Sequence, residues 1–202
     1  MNIQYILEIV GTFAFAISGA LAVRDKEHQD WFAATFTAFV SSIGGGTVRD
    51  VLLGSYPLVW ISDITIVYAI LLGVLATFIF YKQLLRLRRT LFLFDTFGIA
   101  LFTIVGTEKA LNMDVQPEIA AIMGVFSAVM GGVIRDTMSN DIPIIYQKEV
   151  YATACLAGAV CYLLLDYLGA ERNTAFILAS AVIILIRILA VRYHWRVPRF
   201  FR

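Results

Sequence analysis

The sequence predicts an all-α membrane protein with seven transmembrane helices, arranged as two inverted three-helix repeats and a seventh helix. Three observations carry that expectation. Hydrophobic residues fill 60% of the 202 positions and charged residues 15%, with a mean hydropathy of +0.80; soluble domains carry roughly 25% charge, so a water-soluble fold is excluded. The apolar residues fall into runs of about 20, the length a helix needs to cross a hydrocarbon core of roughly 30 Å. One pattern of glycines and charges also occurs twice, 86 or 87 positions apart. Alternating ten-residue strands are missing, so helices and not a barrel make the crossings.

The first span, 4–23, opens without a basic leader and carries Glu8, which reads as a membrane helix and not a secretory signal. The second, 31–54, contains SSIGGGTVRDVLLG at 41–54. The third, 58–81, follows Pro57, and KQLLRLRR separates it from the fourth, 91–109. Pro117 suits the first turn of the fifth span, 117–140, which carries SAVMGGVIRDTMSN at 127–140. Pro143 precedes the sixth, 145–168, and GAER precedes the seventh, 173–193. Trp31, Trp60, Tyr81, Tyr146 and Trp195 fall near span ends, where amphipathic rings favour the interface. Cys155 and Cys161, six apart in one apolar run, read as small core residues.

Basic residues set the expected orientation. Arg24, Lys26, Lys82, Arg86, Arg88, Arg89, Lys148, Arg192, Arg196, Arg199 and Arg202 collect on one side, against Lys109 and Arg172 on the other. The crowded side is expected in the cytoplasm of an inner (plasma) membrane protein, with the N-terminus outside and the C-terminus inside. The tail RYHWRVPRFFR then lies against anionic headgroups, and a net charge of +1 gives no case for nucleic acid.

The duplication is specific. Gly45, Gly46, Arg49, Asp50 and Pro57 recur as Gly131, Gly132, Arg135, Asp136 and Pro143, while Glu8, Gly11, Phe15 and Gly19 recur as Asp95, Gly98, Phe102 and Gly106. One repeat covers about 1–84 and the other about 88–170 of a single membrane domain, 1–202, with the seventh helix at about 171–193 and a tail at 194–202. Three spans per copy send the second copy in from the opposite face, as in inverted-repeat transporters.

Glycine costs about 1 kcal/mol against alanine inside a helix, so Gly44, Gly45, Gly46, Gly131 and Gly132 are expected to bend or unwind spans two and five. Backbone freed in this way must line a watered or protein-filled interior; the alternative is that the glycines let helices cross closely. Arg49, Asp50, Arg135 and Asp136 each cost roughly 2.5 to 3.5 kcal/mol at membrane depth, so they should face inward. Sequence neighbours point about 100° apart on a helix, which suggests crossed pairs, Arg49 with Asp136 and Arg135 with Asp50. Glu8 and Asp95 favour an inward partner or a pore mouth, while the matched Asp63 and Glu149 lie near span ends where solvation explains them. Ser18, Thr35, Ser41, Ser42, Thr47, Thr103 and Ser127 offer oxygens to a hydrated cation, and of these Ser41, Ser42, Thr47 and Ser127 join Glu8 and Asp95 as candidate pore-lining residues. Arg187 is expected to snorkel toward the cytoplasmic face. His28 and His194 sit in a loop and the tail, GGGTVRD lacks the ending of a phosphate loop, and no nucleophile stands near a base, so no enzyme, cofactor or metal site is expected.

These features resemble the prokaryotic relatives of the trimeric intracellular cation channels, a group also catalogued by its duplicated glycine-rich domain. The resemblance runs from EIVGTFAFAISGALA through GGGTVRD and GGVIRD to the basic tail. It implies a homotrimer in the lipid bilayer, each subunit with a hydrophilic pore for potassium and sodium ions beside bent second and fifth helices. By matching position the bend elements are Gly44, Gly45 and Gly46 in one copy and Gly131 and Gly132 in the other, with Met130 standing where the first copy has Gly44. The same catalogue connects the domain with glycine transport, which leaves a carrier for glycine or another small zwitterion as the alternative.

Overall fold

The computed structural model describes residues 3–23, 30–86, 90–147 and 150–195. Helix is the regular structure found there: α1 (Ile3–Ala22), α2 (Trp31–Leu53), α3 (Val59–Ser62), α4 (Ile64–Ile79), α5 (Tyr81–Arg86), α6 (Thr90–Leu111), α7 (Pro117–Met138), α8 (Ile144–Gln147), α9 (Ala152–Tyr167) and α10 (Arg172–Arg192). Among these, α1, α6, α7 and α10 are long and apolar enough to cross a membrane, while α4 and α9 are shorter apolar helices. Arg24, Lys26, His28, Arg88, Arg89, Lys148, Glu149, Arg196, Arg199 and Arg202 lie outside the described residues.

The third and sixth predicted spans are each divided. Asp63, expected only to be solvated, interrupts the third: its backbone is extended, and its side chain accepts from the Thr65 amide at 2.8 Å to cap α4. Its other oxygen takes the Tyr5 hydroxyl at 2.7 Å. The sixth begins as the single turn α8 and resumes as α9 after Tyr151.

The glycine-rich helices do not unwind. Helix α2 is continuous through Gly44, Gly45 and Gly46, and α7 through Gly131 and Gly132. Propensity loses here to packing, because the two helices cross at their glycines: a Cβ on Gly45 would overlap the Ser127 carbonyl oxygen, and one on Gly131 the Ser41 carbonyl oxygen. The contacts are reciprocal at the 86-residue spacing. A second reciprocal pair joins α1 to α6, where a Cβ on Gly11 would press the Phe102 ring and one on Gly98 the Phe15 ring. Those two rings are 5.4 Å apart between centroids. Residue i meeting j′ while j meets i′ is how surfaces pack about a twofold axis.

Two apolar cores flank this central seam. One packs Ala16 and Ala20 of α1 and Ala38 of α2 on Ile66, Ile70 and Val74 of α4. The other packs α6 and α7 on α9 and α10, around Ile99, Ile104, Cys155, Phe176 and Ile183. Even the helix ends match: Gly54 (φ 66°) and Asn140 (φ 55°) both take the left-handed conformation just past α2 and α7. The Ser55 amide then reaches the Asp50 carbonyl at 2.8 Å and the Asp141 amide the Asp136 carbonyl at 2.9 Å, closing each end with the same backbone bond.

Candidate functional site: two buried charge clusters

Near their C-terminal ends, α2 and α7 each hold an Arg-Asp pair inside the bundle. In the first cluster, Arg49 Nε donates to Asp50 Oδ1 at 2.7 Å, and its Nη2 reaches Glu8 Oε1 of α1 at 3.3 Å. Lys109 Nζ of α6 also donates to Asp50 Oδ1 at 2.7 Å, and the Val59 amide donates to Asp50 Oδ2 at 3.3 Å. In the second cluster, Arg135 Nε donates to Asp136 Oδ1 at 2.8 Å, while its Nη1 lies 2.9 Å from Asp95 Oδ1 and 2.7 Å from Ser18 Oγ. The Ile144 amide donates to Asp136 Oδ2 at 2.9 Å, and the Tyr151 hydroxyl to Asp95 Oδ1 at 3.3 Å.

In place of the crossed pairing expected from the helical wheel, Arg49 and Arg135 each pair with carboxylates of their own repeat. Two causes account for this. An arginine carries its guanidinium on a long flexible stem, so it can fold back over its own helix to the next residue despite the 100° between their Cα–Cβ bonds. The crossed partners are also far apart: Arg49 meets α1 at Glu8 and Arg135 meets it at Ser18, ten residues further along and so about 15 Å away at 1.5 Å per residue.

Arg187 does not snorkel. Its side chain is buried, with Nη1 donating to the Val150 carbonyl at 3.2 Å and Nη2 3.5 Å from Asp95 Oδ2, outside hydrogen-bond geometry. Its guanidinium lies 4.7 Å from the Phe92 ring centroid and 4.5 Å from that of Tyr151. A carboxylate and two aromatic faces within reach outcompete the membrane surface for the charge. Each cluster thus collects two acids and two bases, Glu8 and Asp50 with Arg49 and Lys109, then Asp95 and Asp136 with Arg135 and Arg187.

Apart from Ser18, which accepts from Arg135, the candidate hydroxyls separate into two sets. Ser42, Thr35 and Thr103 bond to carbonyls four residues back on their own helices, at 2.8, 2.7 and 2.6 Å. Ser41, Ser127 and Thr47 keep buried oxygens with no hydrogen-bond partner among the described residues. Glu8, Ser42, Thr47, Arg49, Asp50 and Trp60 line a cavity of ≈ 20 Å³, room for about one water. Gly132 serves the second cluster directly, since a Cβ there would stand 3.0 Å from the Tyr151 hydroxyl oxygen. The parts of Lys109, Tyr151, Phe92 and Arg187 escaped the sequence reading. Lys109 was counted with the outer charges, and neither ring belongs to a repeated motif.

Charged groups held inside a helical bundle mark ion and solute pathways, so fold and site define a polytopic membrane protein of the transporter and channel class. The family described as "Glycine transporter" matches residues 5–82 and 92–167, and the chain belongs to it. It is 37% identical over 198 residues to the inner membrane protein YadS of Escherichia coli, a UPF0126 protein, covering 97% of this chain and 95% of that one. Its fold is similar to that of the TRIC trimeric intracellular cation channel orthologue from Rhodobacter sphaeroides, with a TM-score of 0.90 and 33% identity over 96% of this chain and all of the other. A second TRIC cation channel, studied for the structural basis of conductance, aligns with a TM-score of 0.82 and 33% identity, covering 96% and 95% of the two chains.

Proposed function

We propose that the protein is a monovalent cation channel, passing potassium and sodium through one hydrophilic pore per subunit of a homotrimer. The observation that carries this reading is the pairing of the buried arginines Arg49, Arg135 and Arg187 with carboxylates, each cluster holding two acids against two bases. An unpaired guanidinium would repel a cation; a balanced cluster leaves the acidic and hydroxyl oxygens to carry it at several weak sites. The likeness to TRIC cation channels supports the same conclusion.

In this reading seven spans are formed by α1, α2, α3 with α4, α6, α7, α8 with α9, and α10. The reciprocal glycine contacts support two inverted repeats, with the N-terminus outside and the C-terminus in the cytoplasm of the inner membrane. The glycines of α2 and α7 act as the close crossing that shapes the pore between the clusters.

The second reading, a carrier for glycine or a similar zwitterion, draws on the family's description and on clusters that offer both charges to an ammonium and a carboxylate. Potassium flux and radiolabelled glycine uptake, measured side by side in vesicles of purified protein, separate the two. The channel gives potassium flux that is independent of glycine, faster than any carrier cycle, and lost in Gly45→Leu and Gly131→Leu. Saturable glycine uptake with little potassium leak replaces the channel with the carrier.

A further inference from the structure

The two clusters match in sequence but not in enclosure. In the first, the side chains of Glu8 and Lys109 are 13% and 19% exposed, beside the small cavity. In the second, Asp95 and Arg135 are 0% exposed, Arg187 is 1% exposed, and only Asp136 is partly open, at 8%. Arg187 lies over the Asp95 side of the second cluster, and it comes from α10, the helix outside the duplication.

The matched positions show what α10 adds. Phe92, Val150 and Tyr151, which surround the Arg187 guanidinium, correspond to Tyr5, Ile64 and Thr65 of the first copy. There Tyr5 and Thr65 both bond to Asp63, and their cluster receives no side chain from α10. Arg187 is also bonded more loosely than Arg135. Among the described residues its Nε and Nη2 have no hydrogen-bond partner, nor has the facing Asp95 Oδ2. Asp95 keeps Arg135 and Tyr151 as partners without it, and α10 is tied elsewhere to α6 through the Arg172–Glu108 ion pair.

We propose that Arg187 is a plug: α10 inserts this cation between Phe92 and Tyr151 to seal the second cluster from water, and its withdrawal admits water and hydrated monovalent cations. The proposal rests on the channel reading for its consequence but not for its geometry. Withdrawal breaks one hydrogen bond, two ring contacts and the 3.5 Å ion pair with Asp95, and leaves Asp95 and Asp136 both paired with Arg135.

A native thiol reports on the seal. Cys155, fully buried one turn beyond Tyr151 on α9, becomes the sole cysteine after Cys161→Ala. The full chain in vesicles is treated with methanethiosulfonate-ethylammonium, and potassium flux is measured on the same preparations. In the Cys161→Ala parent, Cys155 stays protected. Arg187→Met should be labelled about tenfold faster, as a protected site is when it gains a local opening, and should carry several-fold more potassium. Arg187→Lys, which keeps a cation between the rings, should stay close to the parent; a loss of packing alone would not be rescued in this way.

Phe92→Ala removes one wall of the plug and should raise labelling in the same direction, so the result does not hang on one variant folding. Equal labelling in the parent, Arg187→Met and Phe92→Ala overturns the plug, and so does labelling of Arg187→Lys as fast as Arg187→Met. Faster labelling with no potassium flux in any preparation leaves the plug standing and removes the channel reading. Flux in the parent with unchanged labelling in both variants does the reverse.

Discussion

Asp50 and Asp136 each join three parts of the chain: Oδ1 takes the preceding arginine, Oδ2 takes the first amide of the next short helix, and the backbone carbonyl closes the end of its own helix. A residue with that many partners explains why a charge persists in an apolar run. Inward charges were legible from the sequence because hydrocarbon tolerates them so poorly. Their partners were not, since helical-wheel angles describe where a side chain leaves the backbone and say little about where a long arginine ends. A double-mutant cycle separates the two pairings. Glu8→Gln with Arg49→Met should be non-additive by about 0.5 to 3 kcal/mol, as for residues in contact, whereas Arg49→Met with Asp136→Asn should add within about 0.5 kcal/mol. Unfolding midpoints in detergent supply the numbers, and strong coupling between Arg49 and Asp136 would restore the crossed pairs.

Helix α2 shows how an element resolves a conflict that its sequence leaves open. Three consecutive glycines weaken an isolated helix, yet α2 stays helical because α7 fills the space where side chains would be. The two effects predict different outcomes at adjacent positions. Gly45→Ala and Gly131→Ala put a methyl onto a carbonyl of the other helix and should cost about 1 to 3 kcal/mol, the range for overpacking. Gly46→Ala meets nothing closer than 3.7 Å, so it should be neutral or gain up to about 1 kcal/mol from helix propensity. Thermal unfolding of the three variants checks this, and a Gly46→Ala loss matching that of Gly45→Ala would revive the glycines as a flexible break. The interruption at Asp63 was less legible: hydropathy runs on across 58–81, and a cap inside an apolar stretch announces itself only once its side chain is seen on the Thr65 amide.

At the scale of the whole molecule, the duplication was plain in the sequence because glycines, arginines and aspartates recurred together, and a spacing survives where a helix boundary does not. Met130 in place of Gly44 already marked the halves as unequal; what spacing could not convey was the unequal enclosure of the two clusters, which depends on how α10 packs. Inversion itself makes a prediction at two loop positions with the same place in their repeats. Ser55→Cys and Asp141→Cys should react with a membrane-impermeant thiol reagent from opposite sides, Ser55→Cys from outside and Asp141→Cys from the cytoplasm. Reaction of both from one side would make the repeats parallel. The sixteen residues of α9 bear on the surrounding lipid. They extend about 24 Å along the helix axis, short of a hydrocarbon core of roughly 30 Å. Wherever acyl chains border α9 they must shorten or tilt to meet it, and the resulting elastic deformation is relieved in thinner bilayers. Membrane thickness should therefore act on this molecule through α9, and equally through α4, which is also sixteen residues long.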